Sequence, residues 1–406
     1  MSSTIFDCGV IGIGVSGTFA MHRLATRHPT MKILGMEFGR PPAKRRQQMS
    51  GFLGLLPNSD GKFFLNNIAN VANITGICKA KSANNLFNGI LKLVDDFSIT
   101  EDRTPSISLS KRIKKQGYTL SLNDHIQIYP KQIRSLSKYL ATPILDNPNI
   151  TLSFDNEALR IVKQKGVFVI AAENEQDYRC EKLIIAVGRS GWRWANELYQ
   201  SFGIIEENNI ARFGIRIEAN SSLFNDFNKS NCSLFKDDEL EIGPLSWYGS
   251  ILPEDHFDFT SSAFRGNEAR WKTNKVSFQF IGNRPFLDGG FEQTNRLAKL
   301  TFLLSNDRII KERVSSLLNG RSKISIIPEY DWLKESILDF AKIIPEITTK
   351  GYFHIPTIVP MCSNINVGKN LETDVDNMFV AGESAQIKGL LGAAISGILA
   401  ADEVSK

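Results

Sequence analysis

Ile5 to Gly17 reads IFDCGVIGIGVSG, and the fold turns on this stretch. Ile5 to Ile11 is rich in β-branched and aromatic residues and predicts a buried strand. Gly12, Gly14 and Gly17 then stand in Gly-x-Gly-x-x-Gly spacing, which predicts a sharp turn. Thr18 to Arg27 has helical character and stops before Pro29. Met31 to Met36 predicts a second short strand, with Glu37 at its end. Strand, turn, helix and strand together make a βαβ unit.

The Gly pattern gains meaning from this context, because it follows a strand and opens a helix. Gly12 permits the turn, Gly14 lets backbone approach a pyrophosphate, and Gly17 lets the helix pack against the strand. The helix start offers free N–H groups and the positive end of a dipole to phosphates, beside Val15 and the Ser16 hydroxyl. Glu37 follows Gly12 by 25 positions, where a carboxylate accepts the ribose hydroxyls of an adenosine and repels a 2′-phosphate. A dinucleotide site is expected here. NAD and FAD share the fingerprint, so the choice rests on the rest of the chain.

Phe379-Val380-Ala381-Gly382-Glu383, followed by Lys388-Gly389-Leu390-Leu391-Gly392-Ala393-Ala394, is a second strand, Gly, acid and helix arrangement. Glu383 is placed to hold a ribityl hydroxyl. A helix from about Gly389 would aim its amino terminus at the N1/O2 edge of a flavin. Small residues such as Gly392 and Ala393 allow close approach. FAD is therefore the expected cofactor, held by a Rossmann-type unit built from the first and last segments.

At this point the sequence resembles the FAD-dependent dehydrogenases of the two-dinucleotide-binding-domain class, the glutathione-reductase-type flavoproteins. The likeness is carried by Gly12 to Gly17 with Glu37, by Ser59-Asp60-Gly61-Lys62, and by Ala186-Val187-Gly188-Arg189-Ser190-Gly191-Trp192 with Phe213 to Glu218 downstream. Asn370 to Thr373, leading into Ala-Gly-Glu-Ser, completes it. It runs from about residue 5 to 403. The resemblance implies bound FAD and a redox role. It implies that Ala158 meets adenine through its backbone, that Val187 and Gly188 lie beside the cofactor, and that Arg45 lies near its adenosine or pyrophosphate end. Phe38, Asp60, Lys62, Ala186 and Leu390 join the candidate cofactor set. Two departures bear on substrate and reaction: Glu383 replaces the family's Asp, and the Gly-rich stretch before Ser59 is thinned. The family has no settled general activity, so no substrate follows.

Composition fits this picture. The chain has 406 residues, 42% hydrophobic and 22% charged, with 48 basic and 43 acidic residues and a net charge of +5. That mild excess does not point to nucleic acid. The basic run Lys111-Arg112-Ile113-Lys114-Lys115 is expected to be a solvated face. Five scattered cysteines, with no Cys-x-x-Cys, argue against a disulfide framework and for a reducing, cytoplasmic setting. No Cys/His spacing suits a metal. No apolar run reaches the roughly 18 to 20 residues that span a bilayer.

The expected architecture is α/β, a parallel sheet with a β-meander plus an inserted α+β substrate domain. Residues 1–80, 129–204 and 356–406 form the FAD-binding domain and 205–355 the cap. Residues 81–128 fit a substrate-side insertion. The meander is expected from Thr151–Phe154, Ala158–Gln164 and Val167–Ala172, running into Lys182–Val187. In the cap, strands are expected at Phe213–Glu218, Val276–Ile281 and Ile324–Ile327, with a helix at Gln293–Leu304. The cap is rich in aromatic residues (Trp247, Tyr248, Phe257, Phe259, Phe264, Trp271, Phe278, Phe280), and Trp247, Tyr248 and His256 could line a substrate pocket, with aromatic core packing the favoured reading. Lys62 and Arg189 are candidates for charges near flavin or substrate, with a structural salt bridge equally open. No second Gly-x-Gly-x-x-Gly is present, so NAD(P)H enters as a transient reductant or oxygen serves as acceptor. The function expected is an FAD-dependent oxidoreductase acting on a small or medium organic substrate. A flavin-dependent RNA modifier and a non-enzymatic FAD scaffold or redox sensor remain as alternatives.

Overall fold

Strand β1 (Ile5–Ile11) is buried along most of its length because parallel strands lie on both sides of it. In the computed structural model, residues 4–45, 49–65, 85, 89, 98–204, 206–207, 210–256, 259–266, 268–286, 289–304, 306, 308–359 and 364–406 are described. The chain divides into two compact units. One comprises Met1–Ser98, Gln127–Glu207 and Met361–Lys406, the other Ile99–Ile126 and Asn208–Pro360.

The first unit is α/β. Helix α1 (Val15–Arg27) links β1 to β2 (Ile33–Glu37), whose five residues are all buried. Helix α2 (Pro130–Leu145) begins on a proline and turns Ile133, Leu136, Leu140 and Ile144 inward. It leads to β3 (Ile150–Phe154), which pairs parallel to β2 from Ile33↔Ile150 to Glu37↔Phe154. This corrects the expected meander. Thr151–Phe154 is not its first strand, because a strand that follows a crossover helix returns parallel to its neighbour. The meander proper is β4 (Ala158–Gln164), β5 (Val167–Ala172) and β6 (Asp177–Ile185). Strand β6 pairs antiparallel with β5 through Asp177–Cys180 and parallel with β1 from Arg179 to Ile185. Its carboxyl-terminal half pairs parallel with β7 (Met378–Val380). Helix α3 (Trp192–Ser201) follows β6, and helix α4 (Gly389–Val404) closes the chain.

Helices α1 and α4 cross at contact distance. A Cβ on Gly397 would stand 2.1 Å from the Ser16 carbonyl oxygen. Arg23 clamps Asp402 beside this crossing, with Nε–Oδ1 2.6 Å and Nη2–Oδ2 2.8 Å. Among the described residues, no helix is long and apolar enough to cross a membrane.

The second unit is built on an antiparallel sheet. Its central strands are Ile210–Asn220 and Lys275–Pro285, flanked by Tyr352–Ile358 on one side and Leu240–Ile242 on the other. Phe213, Ile215, Phe278, Phe280 and Phe340 share its core. Of the aromatic run, Phe259, Phe278 and Phe280 are core and Trp247 packs against it, whereas Phe257 lies outside the described residues. The expected strand at Ile324–Ile327 is instead a short 3-10 turn, Lys323–Ile326. Ser322 Oγ accepts from the Ile324 amide, and burial falls on Ile324 and Ile327 with Ile326 exposed, a spacing of three rather than two. The basic run lies on helix Ile107–Lys115. Leu109 and Ile113 are buried there, Lys111, Lys114 and Lys115 are exposed, and Arg112 pairs with Asp226.

Glu218, buried on the Ile210–Asn220 strand, gathers two lysines and a histidine from three strands of the sheet onto Oε1. These are Lys275 Nζ at 2.9 Å, Lys311 Nζ, and His354 Nε2 at 3.3 Å. Burial alone would raise the Glu218 pKa. Hydrogen bonds from His354, Lys311 and Lys275 more than offset it and hold the carboxyl well below its usual range.

Two predictions follow from this packing. An exposed helical Gly→Ala change gains about 1 kcal/mol, but Gly397→Ala pushes a methyl into the Ser16 carbonyl and should cost about 1–3 kcal/mol. Urea unfolding decides the sign; a gain would mean the two helices do not touch. A depressed carboxyl stabilises the fold above its unfolded pKa, and that stability drains away as pH falls below it. Melting curves between pH 7 and 3 should therefore show Glu218→Gln less stable than wild type near neutrality, by about 1–3 kcal/mol, with the gap closing toward acid.

Candidate functional site

Parallel strands β2, β1, β6 and β7 all end at the same edge of the sheet, and the chain leaves β1 and β2 on one side and β6 on the other. In open α/β sheets such a switch point forms a crevice outside the strand ends. Gly12 (φ +85°) makes the exit from β1 and donates to the Met36 carbonyl at 2.8 Å. A Cβ on Gly12 would stand 2.7 Å from both Ala186 O and Val187 Cα, so the ends of β1 and β6 touch. A Cβ on Gly17 would meet the Gly12 carbonyl at 2.0 Å, which is the close helix–strand packing expected of the third glycine.

Two helices start at this edge. Helix α1 has Gly14 at its N-cap, with no side-chain cap and no acid in its first turn. Helix α4 starts after Lys388, likewise with no side-chain cap and no acid in its first turn. Among the described residues, their leading N–H groups therefore keep the positive end of each dipole without an acid from the helix's own first turn. Gly382 joins the two starts. A Cβ there would meet Ser16 Oγ at 2.1 Å, and its own amide donates to Ser396 Oγ at 2.8 Å. Ser396 and Gly397 carried no signal in the sequence beyond a small-residue helix.

Glu37 is buried at the end of β2. Oε2 accepts from the Ile13 amide at 2.8 Å, and Oε1 accepts from Gly39 at 2.9 Å and Gly51 at 3.2 Å. Burial pushes its pKa up, while these amides and the Arg45 charge oppose the rise. A carboxylate has about four acceptor positions, so Oε2 keeps one for a ligand hydroxyl while Oε1 is full. Arg45 donates to the Phe52 carbonyl at 2.8 Å and to the Gly54 carbonyl, folding that loop onto the turn. Leu53 donates to Ile13 O at 2.9 Å, and Gly54 lies against Gly14. Phe38 is half-buried beside Glu37.

Ala158 lies near Glu37 because Asn156, two residues earlier, donates to the Glu37 carbonyl at 3.4 Å. Its own carbonyl accepts the Trp194 indole N–H from α3, a contact that sequence reading missed. Beyond β6, Val187 and Gly188 are partly accessible, and a side chain on Gly188 would meet nothing within 4 Å. Arg189 reaches Glu383, with Nη2 at 2.9 Å and Nε at 3.0 Å from Oε1. The salt-bridge reading of Arg189 is thus the geometry present. Ser384 Oγ, wholly buried next to Glu383, has no hydrogen-bond partner. Leu390 and Ala393 are partly accessible and Gly392 is buried.

Asp60 and Lys62 form a separate turn. Asp60 Oδ1 accepts from the Lys62 amide at 3.2 Å, and Gly61 exchanges backbone contact with Ile128. The short strand Lys62–Phe64 lies against α4. Gln127 Nε2 donates to the Asp60 carbonyl at 2.9 Å.

No protein-family model and no curated protein sequence matches the chain. Among solved structures it is similar to glycine oxidase from Geobacillus kaustophilus (TM-score 0.43, 13% identity, 99% of this chain and 95% of that one). It is also similar to E. coli quinol fumarate reductase FrdA (0.49, 12%, 100% and 70%) and to NikD, an amino acid oxidase essential for nikkomycin biosynthesis (0.47, 11%, 100% and 95%). At such scores and identities these likenesses carry no activity over to this chain. The reading of the site rests on its own geometry.

That geometry suits an elongated anionic ligand. Uncapped amides can hold its phosphates, a buried carboxylate with one acceptor position left can take a sugar hydroxyl, and a second carboxylate, Glu383, stands at the end of β7. Glu37 also has a purely structural duty that can be measured. Glu37→Gln sets an amide NH₂ against backbone donors and should lower stability by about 1–3 kcal/mol. Thermal unfolding of the purified protein checks this, and an unchanged midpoint would show that the three amides do not depend on the charge.

Proposed function

We propose that this chain is an FAD-dependent oxidoreductase whose FAD lies along the carboxyl edge of the first unit's sheet. The observation that carries this reading is the pair of uncapped helix starts, α1 and α4, on strand ends that also present buried Glu37 and half-buried Glu383. In this reading Glu37 takes a ribose hydroxyl through Oε2. The amides of Gly14, Val15, Ser16 and Gly17 take the pyrophosphate, with Arg45 holding the loop that covers them. Val187 and Gly188 flank the ribityl chain, Glu383 accepts one of its hydroxyls, and Gly389, Leu390, Gly392 and Ala393 lie by the isoalloxazine. Ala158 borders the adenine through its amide, since its carbonyl is given to Trp194. The unit is then Rossmann-type, and the second unit serves as the substrate domain.

Bound FAD would supply two-electron redox chemistry at its isoalloxazine ring. The protein's share is position and charge. The α4 amino terminus places a positive dipole end where reduced flavin accumulates negative charge. Lys62, on the strand against α4, is the remaining candidate for a charge near that end. The substrate is read as a small or medium organic molecule. NAD(P)H is a candidate reductant only through transient binding, because the sequence holds no second Gly-x-Gly-x-x-Gly.

The purified protein should be yellow and release FAD on denaturation. Gly14 offers a sharper test. Its φ is −69°, and a Cβ there would meet only Gly54 Cα at 3.9 Å, so Gly14→Ala fits the protein without strain. The methyl would still occupy space that a pyrophosphate needs. Gly14→Ala should keep the apoprotein's stability within about 0.5 kcal/mol and weaken FAD at least tenfold. Fluorescence titration of apoprotein measures this, and unaltered FAD affinity would remove the pyrophosphate from this turn. Anaerobic titration with NADH and NADPH then separates a reductase or monooxygenase, bleached by them, from an enzyme bleached only by its organic substrate.

A further inference from the structure

We propose that Arg189 is a positioning residue that holds one oxygen of Glu383 so that the other is aimed at a ribityl hydroxyl of FAD. This rests on the FAD reading above and deepens it at one contact.

Arg189 follows β6 and Glu383 follows β7, adjacent parallel strands paired up to Ile185↔Val380. Each side chain therefore starts from backbone fixed by the sheet, and Gly382 before Glu383 is fixed again by Ser396. Both Arg189 nitrogens fall on the same atom, Oε1, at 3.0 and 2.9 Å. A guanidinium facing a carboxylate without other constraint favours the bidentate fork, one nitrogen to each oxygen. Among the described residues, no donor bonds Oε2. The Glu383 side chain is 13% exposed and that of Arg189 29%, so the pair is largely removed from water.

Three consequences follow. The Arg189 charge offsets the desolvation of a carboxylate that would otherwise stand alone at this depth. Its grip removes rotamers from a long acid side chain, so less entropy is lost when a hydroxyl binds Oε2. It also holds the carboxylate away from the α4 amino terminus, whose uncapped amides would compete for a mobile acid. A Cβ on Gly188, which follows the same strand as Arg189, would meet none of the described residues within 4 Å. A purely structural ion pair would join two strands and have no bearing on ligand.

The test uses the full-length protein, stripped of flavin and retitrated with FAD, in wild type, Arg189→Met, Arg189→Lys, Glu383→Gln and the Arg189→Met/Glu383→Gln double variant. Dissociation constants come from flavin fluorescence, and apoprotein melting is recorded alongside. Expected are a roughly tenfold or greater weakening of FAD in Arg189→Met and in Glu383→Gln, partial recovery in Arg189→Lys, and a double variant no weaker than Glu383→Gln. The last result is the mark of a residue acting through another. Should Arg189→Met not fold, Arg189→Gln carries the same comparisons. Wild-type affinity in the Arg189 variants, or losses that multiply in the double variant, overturn the proposal and leave the FAD reading standing. A wild-type protein that binds no FAD overturns both.

Discussion

Ser16 is the point at which the first unit closes. Its carbonyl touches Gly397 of α4 and its hydroxyl touches Gly382 after β7, while neighbouring Gly17 sits on the Gly12 carbonyl. Gly382 and Gly397 thus press on one small residue and Gly17 on the turn before it, and each contact is too short for a Cβ. Two helix starts reach the same strand ends only because these approaches are allowed. Interiors pack at crystal-like density and answer to the loss or gain of a single methyl. The site's electrostatics therefore depend on a steric condition first.

The charges at this edge are disposed differently at its two ends. Glu37 is nearly saturated by backbone amides, so its carboxylate is structural as well as available. Glu383 is held through a single oxygen by a guanidinium. The helix starts between them present amides without an acid to neutralise them. A neutral, apolar ligand would gain little from such an edge. An extended molecule with anionic and hydroxyl groups in series would gain at every step.

Much of this was legible in local sequence. The run from β1 through Gly17 to Glu37 is contiguous, and its signals (β-branched strand, glycine spacing, terminal acid) act over a few residues. The α4 segment was readable for the same reason. Misreadings came where a local pattern leaves the partner open. Thr151–Phe154 has the composition of a strand, but its neighbour is decided by the helix before it and by space beside β2. Ile324–Ile327 is apolar and β-branched, yet the Ser322 hydroxyl and a spacing of three in burial favour a tight turn. Arg189 could be seen as a charge near the site but not assigned a partner, because Glu383 is 194 residues away.

The sequence by itself determined the opening strand and helix, the glycine turn between them and the acid that follows, because φ restrictions, side-chain period and backbone hydrogen bonding act within one segment. Only the tertiary structure decided which groups share a bond: Trp194 with the Ala158 carbonyl, Ser396 with the Gly382 amide, Glu37 with Gly51, Arg189 with one oxygen of Glu383. Such pairings join positions far apart in the chain. Their energies depend on distances of a few tenths of an ångström, which no local pattern records.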